Sequence, residues 1–469
     1  VAQDRQGLSL TGGVDAIEAY ERAVDHLLRF QAEVVGEIRA ALAADRSFVM
    51  GTVLSAYLSL MSTDGGDVVR ARETLDAFSR AVDVGGLLPR EQAHLRAAER
   101  WAAGDLTGAG RRLDEIAIEH PTDVVALAVG HQIDFFTGDA VNLRDRVGRA
   151  LTSWDSADPR YGFVLGMHAF GLEECNLYGP SADAGLRALD AHADDVWAVH
   201  AVAHTHEMQG EVPAGLQFLR ARERDWSTGN FLNVHNSWHY ALFLLEADDP
   251  VGALELYDRS VRNADSSDVA LELLDASALL WRLHLEGVGV GDRWLPLADG
   301  WAQVLEPALY PFNDMHATMA FVASGQLDRA QDLVASLTEV VGQGDRGTTG
   351  WTMTATVGLP VCRAVLRFGE GDHAAVVDEL WPIRRRVHTF GGSHAQRDAV
   401  ERTLLESALR AGRHDLASAL ISERLALRDR STYGWVKLAQ LRSDMGDGPG
   451  AAAAAHQASE LAAAAKAAT

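Results

Sequence analysis

Apolar positions along this chain recur at helical intervals, and the strict alternation expected of half-buried strands is rare. Stretches such as Asp15 to Arg29, Gln31 to Asp45 and Ser47 to Met61 read as helices. The spacing predicts an all-α protein. Between the helices a turn recurs, in which a Gly or Asp is followed within a few residues by an Ala or Gly that opens the next Leu-rich segment. It stands at Gly104, Gly138, Gly179, Gly210, Asp248, Gly325, Gly371, Gly412 and Gly446, with Gly287 dividing the one long interval. Turns about 31 to 46 residues apart are the mark of stacked helical hairpins, each of which must bury a face on its neighbour.

The pattern therefore predicts an α-α superhelix of tetratricopeptide type, about ten hairpins in one solenoid domain over residues 1–469. Residues 1–100 read as an irregular helical cap, 101–446 as hairpins whose first helices line a concave wall, and 447–469 as an Ala-rich capping helix. Thr63 to Asp67 reads as a loop, and Gly342 to Gly350 as a flexible crossing or lid segment.

Composition narrows the function classes. The chain has 469 residues, 47% hydrophobic, with a formal charge of −24, and its only lysines are Lys437 and Lys466. The acidic balance predicts no nucleic-acid partner. No GxxxxGK[ST] run is present, and two lysines leave little for Schiff-base chemistry. Cys175 and Cys362 are far apart and outside any CxxC pattern, which fits a reducing cytoplasm. No apolar run approaches a membrane span, and the first residues lack the order of a signal peptide.

Candidate chemistry lies in the histidines. His200 and His204 are four apart, as are His235 and His239, so each pair shares a helix face. Both pairs fall on first helices of consecutive hairpins, His168 on the one before, and Asn313, Asp314 and His316 on a later one. His200, His204, His235, His239, Asp314 and His168 are the catalytic candidates, as a general acid and base set working near neutral pH. A divalent metal held by ring nitrogens and a purely structural hydrogen-bonding role stand beside that reading; no cofactor is predicted. Trp238, Asn313, His316, Arg397 and Gln396 are the substrate-binding candidates. Trp238 belongs with Trp197, Trp226 and Trp281 to an aromatic set that walls a pocket or fills the hairpin core. Glu173 and Glu174 read as solvated or inter-helix groups, and Cys175 as packing.

These motifs resemble a known family. Asp195-Val-Trp-Ala-Val-His-Ala-Val-Ala-His-Thr-His-Glu-Met, His235-Asn-Ser-Trp-His-Tyr-Ala-Leu, Phe312-Asn-Asp-Met-His and Gly391-Gly-Ser-His-Ala-Gln-Arg-Asp are similar to the tetratricopeptide repeat protein 38 family, nearly end to end. The resemblance implies an α-solenoid and a shared histidine site, and leaves the reaction undefined. Two functions follow as expectations. One is an enzyme enclosing a small-molecule substrate; the other is a scaffold holding a peptide or partner protein in an open groove.

Overall fold

The computed structural model describes residues 2–344 and 346–467; Val1, Asp345, Ala468 and Thr469, which fall in the stretches discussed above, lie outside the described residues. Helices dominate, and the one sheet among the described residues is a two-stranded hairpin pairing Ala2–Gln3 with Ser9–Leu10. The expected helices form at Val14–Leu28, Glu33–Ala44 and Val49–Met61. Nearly every predicted turn residue has a positive φ, Asp248 (56°) among them, which is what reverses the chain between two helices. Gly179 is the exception: it lies inside the helix Tyr178–Ala191, and Asn176 (φ 60°) makes the turn instead. The expected loop at Thr63 is also shorter, because Asp64 accepts from the amides of Gly66 and Asp67 and so starts the helix Gly65–Ala81.

First helices of successive hairpins pack side by side. Tyr161–Glu174 lies on Val196–Met208, which lies on Asn233–Glu246, then Ala270–Leu285, Pro311–Ala323 and Leu359–Gly369. The architecture is a tetratricopeptide-like superhelix of helical hairpins. Its inner side is not an open groove. The helix His394–Arg410 runs through it, touching both Val196–Met208 and Ala270–Leu285, and buries residues on every face. A helix apolar on only one stripe would face solvent on the other; this one instead places Gln396, Arg397, Asp398, Arg402 and Glu406 indoors, each with a polar partner.

Contacts across large sequence distances close the coil. Thr349 N–H donates to Gly104 O at 2.9 Å, Thr107 N–H donates to Thr349 Oγ1 at 3.2 Å, and Asn313 Nδ2 donates to Thr63 Oγ1 at 3.0 Å. The expected lid segment is thus tied down at Thr349. The last helix, Gly448–Lys466, packs back on Val212–Ala221.

Candidate functional site: a buried four-histidine centre

Both HxxxH pairs lie on adjoining first helices, His200 and His204 on Val196–Met208 and His235 and His239 on Asn233–Glu246. Each helix is apolar almost all round, so its histidines go inward: His204 and His239 are fully buried, His200 nearly so, and His235 is 15% exposed at its side chain. One nitrogen from each of the four rings lies within 4.8 Å of the other three. His200 Nε2 and His235 Nε2 are 3.1 Å apart, and the His204 and His239 rings meet edge to face at 4.3 Å. The predicted juxtaposition of the two pairs is realised, but as mutual contact; the imidazoles fill the space that a substrate would have needed.

Carboxylates stand behind the rings. His235 Nδ1 is 2.9 Å from both oxygens of Asp275, and His239 Nδ1 is 2.9 Å from Glu207 Oε2. A carboxylate accepts, so these two Nδ1 atoms carry the protons and their Nε2 lone pairs turn toward the other rings. His204 Nδ1 faces Glu173 Oε2 at 3.5 Å. Both nitrogens of His204, Nδ1 of His200, Nε2 of His239 and both oxygens of Glu173 are buried without a hydrogen-bond partner among the described residues. Such groups cost about 1–3 kcal/mol each when left unpaired in the interior.

Aromatic side chains wrap the cluster. Trp238 stacks on His235 (5.3 Å, 16°), Trp197 leans over His200 (4.7 Å), and Phe170 touches His200 and His204. Phe30 from the N-terminal helices stacks on Trp197 in turn (5.4 Å, 13°). Burial, reinforced by the neighbouring imidazoles, pushes His200, His204 and His239 well below the ordinary histidine value, so all three are neutral at pH 7. Burial also lifts Glu207 to about 7, and burial with the adjacent Glu174 lifts Glu173 to about 7.

One side of the centre leads outward. His394 Nδ1 lies 3.7 Å from Glu173 Oε1 and 3.4 Å from Glu174 Oε1, and its side chain is 27% exposed. Burial opposes its charge, yet Glu174 and Glu173 raise it to about 9. Glu174 also takes the amide of His394 at 2.7 Å and Arg397 Nη2 at 3.0 Å; despite its burial, His394 and Arg397 hold it far below the usual carboxylate range. Gly391 and Gly392 make this approach geometrically available: both have positive φ, and a Cβ on either would overlap Tyr310 or Phe312.

The remaining sequence candidates sit elsewhere. His168 points back to the preceding helix, against Gly148 and Arg144, so its helix contributes Glu173 and Glu174 in its place. Asp314 accepts from Ala308 N–H at 3.0 Å and is fully buried, Asn313 bonds Thr63, and His316 Nδ1 bonds its own helix at Phe312 O. Being two first helices further along, they turn toward a different neighbour. Gln396 closes a capping box with Ser393, and Arg397 is spent on Glu174 and Gly392 O. Trp238 alone of the substrate-binding candidates joins the cluster, as its wall.

Sequence reasoning passed over Asp275, His394 and Arg282. Asp275 and Arg282 are charges inside the apolar run Ala270–Leu285, and that mismatch with the helix around them was their signal. Among the described residues Arg282 has no carboxylate within 4 Å; it donates to Ala278 O and Ala395 O, lies over Trp238, and burial lowers it to about 10.

No family model matches the chain. Among solved structures it is similar to human IFIT1 in a dimer with PPP-AAAA (11% identity, 98% of each chain, TM-score 0.41). A human IFIT1 dimer with m7Gppp-AAAA has 12% identity over 97% of this chain and 96% of that one, TM-score 0.42. A chain of the APC/C hetero-tetramer Cut9-Hcn1 has 12% identity over 97% and 89%, TM-score 0.35. These likenesses are distant and concern the helical-repeat architecture. One expectation is corrected beside them: these IFIT1 structures are with PPP-AAAA, Gppp-AAAA and m7Gppp-AAAA, and the reading of no nucleic-acid partner is withdrawn. A total of −24 averages the whole surface, whereas a ligand meets one wall of it. Among the described residues no helix is long and apolar enough to cross a membrane.

Proposed function

We propose that this helical-repeat protein is a metalloprotein whose His200, His204, His235 and His239 hold one first-row divalent ion, zinc being the best match to four neutral nitrogen ligands. The observation that carries the reading is the convergence of four imidazoles within 4.8 Å of one another, with the outer nitrogens of two already bonded to carboxylates. Metal-bound histidines are held in this way, and Asp275, Glu207 and Glu173 supply negative charge to offset a buried dication. The alternative of a peptide held along an open groove loses its room to the helix His394–Arg410. The residues that resemble the tetratricopeptide repeat protein 38 family include all four histidines and His394, which supports reading the centre as shared with that family.

A second reading concerns chemistry at the same place. Glu173 stands between His204 and His394, and His394 reaches solvent, so protons have a path between the centre and a small molecule arriving on that side. On this reading the protein is an enzyme whose acid and base groups are Glu173 and His394, beside a closed metal centre.

Elemental analysis of protein purified without an affinity tag tests the first reading, together with titration of chelated protein by Co²⁺. One equivalent of metal and the visible absorption of tetrahedral cobalt are expected. Substoichiometric metal and a featureless cobalt spectrum would remove it.

A further inference from the structure

Away from the histidines, a cavity of about 290 Å³ opens between the helices Val49–Met61 and Pro89–Ala102 and the stretch Glu306–Tyr310. None of the four histidines lines it. Its size approaches the lower end of small-molecule sites, about 300 Å³. Trp101, Phe136, Tyr310 and Trp351 form its aromatic lining, the first three in an unbroken series of ring contacts (Trp101 to Phe136 6.4 Å, Phe136 to Tyr310 5.5 Å). Two charges of opposite sign share the same lining. Arg72 is braced by donating to Ala102 O at 2.7 Å; among the described residues it has no carboxylate within 4 Å and Glu306 has no cation within 4 Å. Both side chains are exposed at the mouth of the hollow, where a ligand's charged groups can meet them.

We infer that this cavity binds a free aromatic amino acid: the ring lies on the aromatic wall, Arg72 takes the carboxylate, and Glu306 takes the ammonium group. Each element answers one feature of that ligand class, since aromatic faces favour planar rings, guanidinium favours carboxylate, and a lone carboxylate favours an ammonium ion. The inference does not depend on the metal reading.

Calorimetric titration with L-tryptophan, indole-3-propionate and tryptamine tests it, the last two each lacking one of the charges. L-Tryptophan is expected to bind saturably and about two- to fivefold more tightly than either analogue, as expected of exposed charge pairs. Arg72→Ala should reduce L-tryptophan to the level of tryptamine, and Glu306→Gln to the level of indole-3-propionate. Ala103→Trp, at an exposed position on the rim, should abolish all three, while Trp351→Ala should weaken all three in parallel. Absence of saturable binding, equal affinities for the three probes, or binding unchanged in Ala103→Trp would each overturn the proposal. Titration of chelated protein gives the same result if the cavity acts alone, so loss of the metal reading leaves this one standing.

Discussion

Around His200 the side chains fill their own space, whereas around Trp351 they leave about 290 Å³ between them. Both regions are rich in rings, and both lie where sequence-distant parts of the coil meet. What separates them is hydrogen bonding. Trp101 and Tyr310 belong to an apolar wall that loses little by facing a hollow; the imidazoles carry nitrogens that lose a great deal by facing nothing. A hollow can wait for a ligand, whereas under the metal proposal the imidazole lone pairs would face a cation at all times. The first arrangement suits a ligand that comes and goes, and the second a resident ion.

Replacing one of the fully buried ring ligands should break this contrast most severely. His239→Ala is expected to abolish stoichiometric metal and to remove the linked stability, about 4 kcal/mol for a free ion at a thousand times its Kd, measurable as a lowered unfolding midpoint. If His239→Ala retains one tightly bound equivalent, the centre is not a four-histidine site.

Asp314 offers a pH test independent of the metal. Burial lifts its carboxyl to about 8, against an ordinary value near 4, and only the Ala308 amide offsets this. The folded chain then keeps a proton that the unfolded chain releases. Its contribution is whole at pH below 4 and is lost as pH rises through 8, at about 1.4 kcal/mol per unit between the two values. Asp314→Asn should flatten that decline, by a few kcal/mol at pH 9, in denaturant midpoints recorded across pH. Parallel curves for the two proteins would show that Asp314 ionises normally.

A smaller effect is expected of the groups behind the ligands. Glu207→Gln keeps the shape beside His239 but not the charge, and should weaken metal affinity about 10- to 100-fold, read by competition with a chromophoric chelator. His168→Gln should leave metal content unchanged, because the side chain turns toward Arg144 and lies outside the cluster.

The hairpin architecture was legible because its cause is local. Turn residues with positive φ recur where the pattern put them, and helical faces follow from period alone. The pairing of His200 and His204 with His235 and His239 was legible for the same reason, since neighbouring first helices must lie together. What was not legible depended on curvature. His168 and Asp314 share the helix layer with the cluster, but the coil turns their side chains toward other neighbours, and rotation about a helix axis is set by packing. Nor does any local signal say that His394–Arg410 enters the coil and brings His394 to Glu173, 221 residues earlier in the chain. Of the two roles read for Glu173, the inter-helix one holds and the solvated one does not: it is fully buried between His204 and His394, which lie on two other helices.

The bonds from Thr349 to Gly104 and from Asn313 to Thr63 have a consequence for how the molecule comes apart. A linear array of hairpins frays from either end, each unit leaning only on the next. Here a hairpin near residue 100 also leans on one near residue 350, so melting at one place removes support from two. Unfolding should therefore resemble the opening of a clasp more than the unravelling of a thread, with a single sharp transition where an open solenoid would show gradual loss.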